Sequence, residues 1–265
     1  MTASSAARLP SHIGDRVEVV PGSHGDLDVV TRAFAGARAV FWVVPPSPHA
    51  ETLEAVYLDF TRPACDAIKN QGVERVVGVS ALGRGVVRNA GLVSASLAMD
   101  DLIAGTGVGY RALTMPSFMD NLLRQVESIK SQGVFFSPIA GDRKDPACAT
   151  RDIAAVAAEL LLDDTWSGQE EVPVLGPEDL SLDDMARIMS EVLGRPVRFQ
   201  QVPGEAFKAG LTANGMSEAM AQGMADMAVA KNAGLDNATP RTPRSTTPTS
   251  FRQWCAEVLR PAVLA

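Results

Sequence analysis

Metal and thiol chemistry have little to work with in this chain. Its three cysteines, Cys65, Cys148 and Cys255, stand far apart and form no Cys-x-x-Cys pair. The three histidines, His12, His24 and His49, lack ligand spacing, so no metal site is expected. Well-separated single cysteines point to reduced, partly buried thiols and a cytoplasmic setting. Basic charge is scarce too: 24 Lys and Arg against 31 Asp and Glu give a net charge of −7. No Lys/Arg stripe stands out to collect phosphates, which argues against nucleic-acid contact. No run approaches the roughly 18 apolar residues of a membrane span, and Met1–Ser11 lacks the apolar core of a signal peptide. A further absence bears on function. No Gly-x-Gly-x-x-Gly or Gly-x-x-Gly-x-x-Gly follows a strand-like run, so the usual grip on a pyrophosphate at a helix N-terminus is missing.

What is present is a regular alternation of helix and strand patterns, as a doubly wound parallel sheet requires. Arg16–Val20 reads as a short strand, and Asp26–Ala35 as a helix with Leu27, Val30, Ala33 and Phe34 on one face. Ala39–Val44 is continuously apolar, the mark of a strand buried on both faces, and Pro45-Pro46-Ser47-Pro48 ends it. A long helix is expected over Glu51–Asn70 and a second buried strand over Glu74–Ser80. The next helix is Leu92–Ala104 and the third buried strand Tyr110–Thr114. This spacing implies parallel strands with right-handed crossovers. Beyond Pro116 we expect helices over Asp120–Ser131, Arg151–Leu162, Ser181–Leu193, Glu205–Ala230 (broken near Gly215) and Ser250–Leu259. Short extended segments are expected at Val134–Phe136, Val172–Leu175 and Val197–Val202. Ser181 and Asp184 form a near capping box.

The ordered motifs Arg75-Val-Val-Gly-Val-Ser80, Met115-Pro-Ser-Phe-Met-Asp-Asn-Leu-Leu123 and Thr150-Arg-Asp-Ile-Ala-Ala-Val-Ala157 resemble NmrA-like proteins. Leu175–Ser181 and Ile188–Val197 extend the likeness. These proteins are atypical short-chain dehydrogenase/reductase relatives. The resemblance implies a Rossmann-like α/β fold: a nucleotide-binding part over 1–116, N-terminally incomplete, and a smaller, mainly helical pocket cover over 117–265, interleaved with the sheet. It implies NAD or NADP as cofactor, a small-molecule substrate as partner, and compatibility with a homo-oligomer. Relatives begin with a strand, glycine-rich turn, helix and strand before the segment matching Val17–Val20. Either that crossover lies outside this sequence or the sheet is shorter. In the second case the missing strands leave a gap between Val17–Val20 and Ala39–Val44, or those segments pair directly.

Ligands of such sheets sit outside the strand carboxyl ends. Cofactor contacts are therefore expected at Val44, Pro45, Ser80, Ala81, Pro116, Ser117 and Phe118. Ser23 joins them, near where relatives place an Asp against adenine. His49, Leu82 and Met119 are the expected substrate pocket. His49 is also readable as a solvated loop residue, Phe118 and Met119 as core, and Gly22-Ser-His-Gly25 as a plain turn. Trp42, Asp152 at a helix start and the Met216, Met220, Met224, Met227 stripe read first as structural. Relatives with alcohol/ketone chemistry carry Tyr-x-x-x-Lys on the helix matching Leu92–Ala104. Here Ala95 and Met99 fall at those places, so no acid/base pair is identified. Ser80 alone would only orient a carbonyl. Gly78-Val-Ser80-Ala-Leu-Gly83 is not a nucleophile elbow, and no His follows His49, which excludes an α/β-hydrolase. The leading function is an NAD(P)-dependent oxidoreductase for a small apolar or quinone-like substrate. The rival is a non-catalytic NAD(P)-sensing or partner-binding protein of the same fold.

Overall fold

The computed structural model describes residues 10–86 and 89–265, and the signal-peptide reading of Met1–Ser11 lies largely outside them. Apolar runs form strands where helices cover the sheet they build, but at Ala39–Trp42 Phe41 is 42% exposed, so the burial of Ala39–Val44 on both faces expected from its sequence is not met. That sheet joins β1 (Ala39–Trp42), β2 (Arg75–Ala81), β3 (Gly109–Met115) and β7 (Gln169–Pro173), in the order β1-β2-β3-β7. Every pairing is parallel, with β2 and β3 in register over seven residues from Arg75↔Gly109 to Ala81↔Met115. α1 (Leu27–Phe34), α2 (Phe60–Gln71) and α3 (Leu92–Ala104) cover one face. There Phe34, Ala64, Ile68, Met99 and Ile103 pack on Val40, Trp42, Val76 and Tyr110. α5 (Thr150–Leu162) covers the other, where Ile153 and Ala157 meet Val77, Leu113 and Met115.

Arg16–Val20 departs from expectation: Val17–Val20 lie in neither strand nor helix, and Val17 and Val19 are exposed. Among the described residues the large sheet opens at β1, and no ladder joins the segment to Ala39–Trp42.

Helix irregularities follow prolines. A π-helical turn, Ala55–Asp59, leads into α2 just before Pro63, and another, Cys255–Leu259, precedes Pro261. Proline lacks the N–H that would continue a regular ladder, and the chain widens its turn there.

The C-terminal region has its own core. Its elements include the short β4 (Ser117–Phe118), a 3-10 segment Met119–Gln125, α4 (Val126–Gln132), β5 (Val134–Ser137) and β6 (Asp145–Cys148). β8 (Asp179–Leu180), α6 (Leu182–Leu193), β9 (Arg198–Gln201), α7 (Gly204–Ala213), α8 (Glu218–Asn232) and α9 (Phe251–Trp254) complete it. Met119, Ile129, Phe135, Met185, Met189, Phe251, Trp254 and Leu259 interlock in the interior. The expected cap at Ser181 is a full capping box: Asp184 N–H donates to Ser181 Oγ (3.0 Å) and Ser181 N–H to Asp184 Oδ2 (3.3 Å).

Asp152, in the first turn of α5, ties the 239–249 loop to the sheet side. It is buried and accepts from Thr249 N–H (3.1 Å) and Thr249 Oγ1 (2.7 Å). Asp152→Ala leaves both donors buried and unsatisfied, so we expect a loss of about 2–3 kcal/mol in urea unfolding. A loss below about 0.5 kcal/mol would show that the loop relaxes to reach solvent.

Candidate active site

Three strand tips converge. β1 ends at Trp42 and runs into Val43, half-buried Val44 and exposed Pro45; β2 ends in Ser80-Ala81; β3 ends in Thr114-Met115 and passes through buried Pro116 to exposed Ser117 and half-buried Phe118. The ladder sets Ser80 against Thr114 and Ala81 against Met115, while Leu82 N–H donates to the Met115 carbonyl (3.2 Å). The turn with Ser23 lies beside the first tip, since His24 Nε2 donates to the Val43 carbonyl (2.9 Å). Ser23 is exposed, and its hydroxyl accepts from Gly25 N–H (3.1 Å) in the turn that starts α1.

The other positions sort by burial. Leu82 (2% exposed) and Met119 (2%) are enclosed, Met119 within the C-terminal core. His49 is exposed, and its Nδ1 donates to the Gly215 carbonyl (2.9 Å). With Ser217, whose N–H donates to Pro48 O (2.9 Å), His49 fastens the loop after β1 to the α7–α8 turn. Ser23, Val44, Pro45, Ser80, Ala81 and Pro116–Phe118 thus gather along the tips, and His49 spans from the first tip to the C-terminal region.

Behind Ser80 lies a cluster that motif reading missed. Ser80 Oγ donates to Asp100 Oδ2 on α3, and Tyr110 Oη on β3 donates to Asp100 Oδ1 (2.6 Å). Arg84 approaches Asp100 Oδ2 at 3.7 Å while also pairing with Asp101 (2.8 Å) and Glu171. Gly78 makes room, because a Cβ there would overlap the Tyr110 hydroxyl. Burial, only partly offset by the Ser80 and Tyr110 hydrogen bonds, pushes the Asp100 carboxyl up to about 6. Tyr110 is pushed up as well, by burial and by the adjacent carboxylate. A signal was present in the sequence: Val93, Ser96, Asp100 and Ile103 fall on one buried stripe of α3, so a carboxylate interrupts an inward-facing row.

Because burial raises Asp100, this group stabilises the fold most below its ordinary value of 3.8, and that stability is lost as pH rises through about 6. Asp100→Asn removes the titration. The stability of the variant relative to the native chain should therefore rise by about 2 kcal/mol from pH 4.5 to pH 8, read by chemical denaturation at each pH. A difference that stays constant across that range refutes the assignment.

The cysteines offer no nucleophile. All three are free and buried, with burial pushing Cys65 up to about 11, Cys255 up to about 12, and Cys148 upward as well.

Comparison with known proteins decides the family. The pattern described as NAD(P)H-binding matches residues 2–164, and that of the NmrA-like family matches residues 105–254. The chain belongs to the NmrA-like family. Among similar proteins, this NmrA-like chain is 30% identical to an NAD(P)H azoreductase of Xenophilus azovorans, over 80% of itself and 71% of that protein. It is 29% identical to a (4-alkanoyl-5-oxo-2,5-dihydrofuran-3-yl)methyl phosphate reductase of Streptomyces griseus, over 95% and 87%. In fold it matches the NADPH-dependent quinone oxidoreductase of Escherichia coli solved with NADPH, at TM-score 0.74 and 20% identity, over 94% of this chain and 86% of that one.

Among the described residues Thr114 Oγ1 is buried without a hydrogen-bond partner, directly across the ladder from Ser80. Among the described residues no strand, glycine turn and helix present backbone N–H groups to a pyrophosphate.

Proposed function

We propose that this NmrA-like chain is an NAD(P)-dependent oxidoreductase that reduces a small apolar or quinone-like substrate. The observation that carries the reading is the unpartnered Thr114 hydroxyl beside Ser80, at the tips of a parallel sheet in an NAD(P)H-binding family. The azoreductase and quinone oxidoreductase names of its relatives supply the substrate class. NAD(P)H, when bound, supplies the hydride.

The chain's own part is positioning. Ser80 and Thr114 hold polar groups at the β2 and β3 tips, while Val44 and Phe118 border them with apolar surface. The tethers from Pro48 and His49 to the α7–α8 turn hold the cover in place and keep water from the reacting groups. Ala95 and Met99 occupy the places of the Tyr and Lys of other relatives, and Met99 is enclosed in the core. An electron-poor, planar acceptor that needs little proton assistance suits such a site better than an alcohol or simple ketone. Three buried thiols accord with a reducing compartment such as the cytoplasm.

The test is titration with NADPH and NADH by fluorescence, followed by quinone-dependent loss of nicotinamide absorbance. Binding with turnover is expected. Binding without turnover would favour the sensing reading, which the absent Tyr/Lys pair supports; no binding would end both.

A further inference from the structure

We propose that Asp100 is a positioning residue that sets which way the Ser80 hydroxyl points, so that Ser80 accepts from a ligand when Asp100 is charged and donates to it when Asp100 is protonated. This rests on the proposed function, in which Ser80 faces the reacting groups.

The geometry leaves Asp100 few alternatives. It is 2% exposed, and its two oxygens are engaged by hydroxyls from two different strands. A charged carboxylate only accepts, so it must hold the Ser80 hydrogen, and Ser80 then presents lone pairs alone to anything beyond it. A protonated carboxyl keeps Tyr110 on Oδ1 and donates from Oδ2 to Ser80 Oγ. The Ser80 hydrogen is then free to turn outward, beside the unspent Thr114 hydroxyl. The carbonyl of a quinone requires a donor, so the protonated form favours reduction.

Charged groups face the pair from each neighbouring element. Arg84, on the loop after β2, favours the charged form, and Glu171 on β7 opposes it. Asp101 on α3 shares Arg84, and Cys65 on α2 lies near Tyr110. The carboxyl rises to about 6, so the hydroxyl would reverse within an accessible pH range.

Asp100→Asn separates this from a structural role. The amide it introduces would donate through its nitrogen to Ser80 Oγ and accept from Tyr110 through its oxygen, holding Ser80 permanently in the donating state. With NADPH and a para-quinone, the native protein should lose about tenfold in kcat from pH 5 to pH 8. Asp100→Asn should show a flat profile and exceed the native rate at pH 8. Ser80→Ala should be slow and flat, with NADPH affinity changed less than about threefold. A native-like pH profile in Asp100→Asn overturns the proposal, as does a uniform loss at every pH in a folded variant.

A second readout needs no turnover. The infrared band of the protonated Asp100 carboxyl, identified by its absence in Asp100→Asn, should titrate near pH 6. If Asp100→Asn does not fold, the band is assigned instead by its shift on isotopic labelling of aspartate. In Ser80→Ala the midpoint should move up by about one unit, because the hydroxyl stabilises the charged form. An unmoved midpoint overturns the proposal. A native protein that binds no NADPH, yet shows this shift, refutes the assigned function while leaving the Asp100–Ser80 pair intact.

Discussion

Trp254→Ala should lower unfolding free energy by about 3–5 kcal/mol, a large part of the total stability of an ordinary domain. Trp254 is 1% exposed and stacks on Phe251 with ring centroids 5.8 Å apart. It lies in the core that also holds Met119, Phe135 and Met189, so removing the indole leaves a large cavity there. Trp254→Phe makes the comparison sharper. The indole Nε1 is buried with no hydrogen-bond partner, so phenylalanine removes an orphan donor while keeping most of the ring contact. Its cost should be roughly 1 kcal/mol. Guanidinium denaturation monitored by circular dichroism separates the two variants. Equal losses in both would mean that ring volume does not govern this site. Met119 follows Phe118 at the β3 tip, so Trp254→Ala should also loosen the cover and raise KM before it lowers kcat.

Gly91→Ala should be the most damaging single-carbon addition near the site, costing about 3 kcal/mol or more. Gly91 is the residue before α3, at φ 55° and ψ −120°, a conformation hostile to a side chain. A Cβ there would overlap the Gly223 carbonyl oxygen of α8, so backbone strain and collision add. Separating α3 from α8 disturbs the packing of Ala90 and Val93 on Ala230 and Leu235. Gly107→Ala is the control: its φ is 82°, but the space around it is open. That variant should lose only about 1 kcal/mol. Thermal melts of both distinguish strain alone from strain plus collision, and similar losses would remove the collision from the account.

The large sheet was legible because its two central strands are buried on both faces, whereas β1 leaves Phe41 exposed and β7 is largely polar. Ala39–Trp42, Arg75–Ala81 and Gly109–Met115 stand out in any reading that allows for helices above and below. Helix ends were legible where chemistry marks them, as with the reciprocal pair Ser181 and Asp184. Arg16–Val20 reads as a strand by its residues, yet it carries no strand in any ladder among the described residues. The candidate site was placed by position: Ser80, Pro116 and Phe118 lie at strand tips, where such sheets bind ligands. Asp100 was passed over because it lies 20 residues from Ser80 in a helix read for its apolar face.

Local pattern determined the fold class, since burial of the central strands and helix periodicity are written in consecutive residues. Only the tertiary structure decided what Ser80 touches. That contact needs a strand, a helix and a glycine gap for Tyr110 to meet at one carboxylate, and no periodic pattern in the sequence between Gly78 and Tyr110 brings them together.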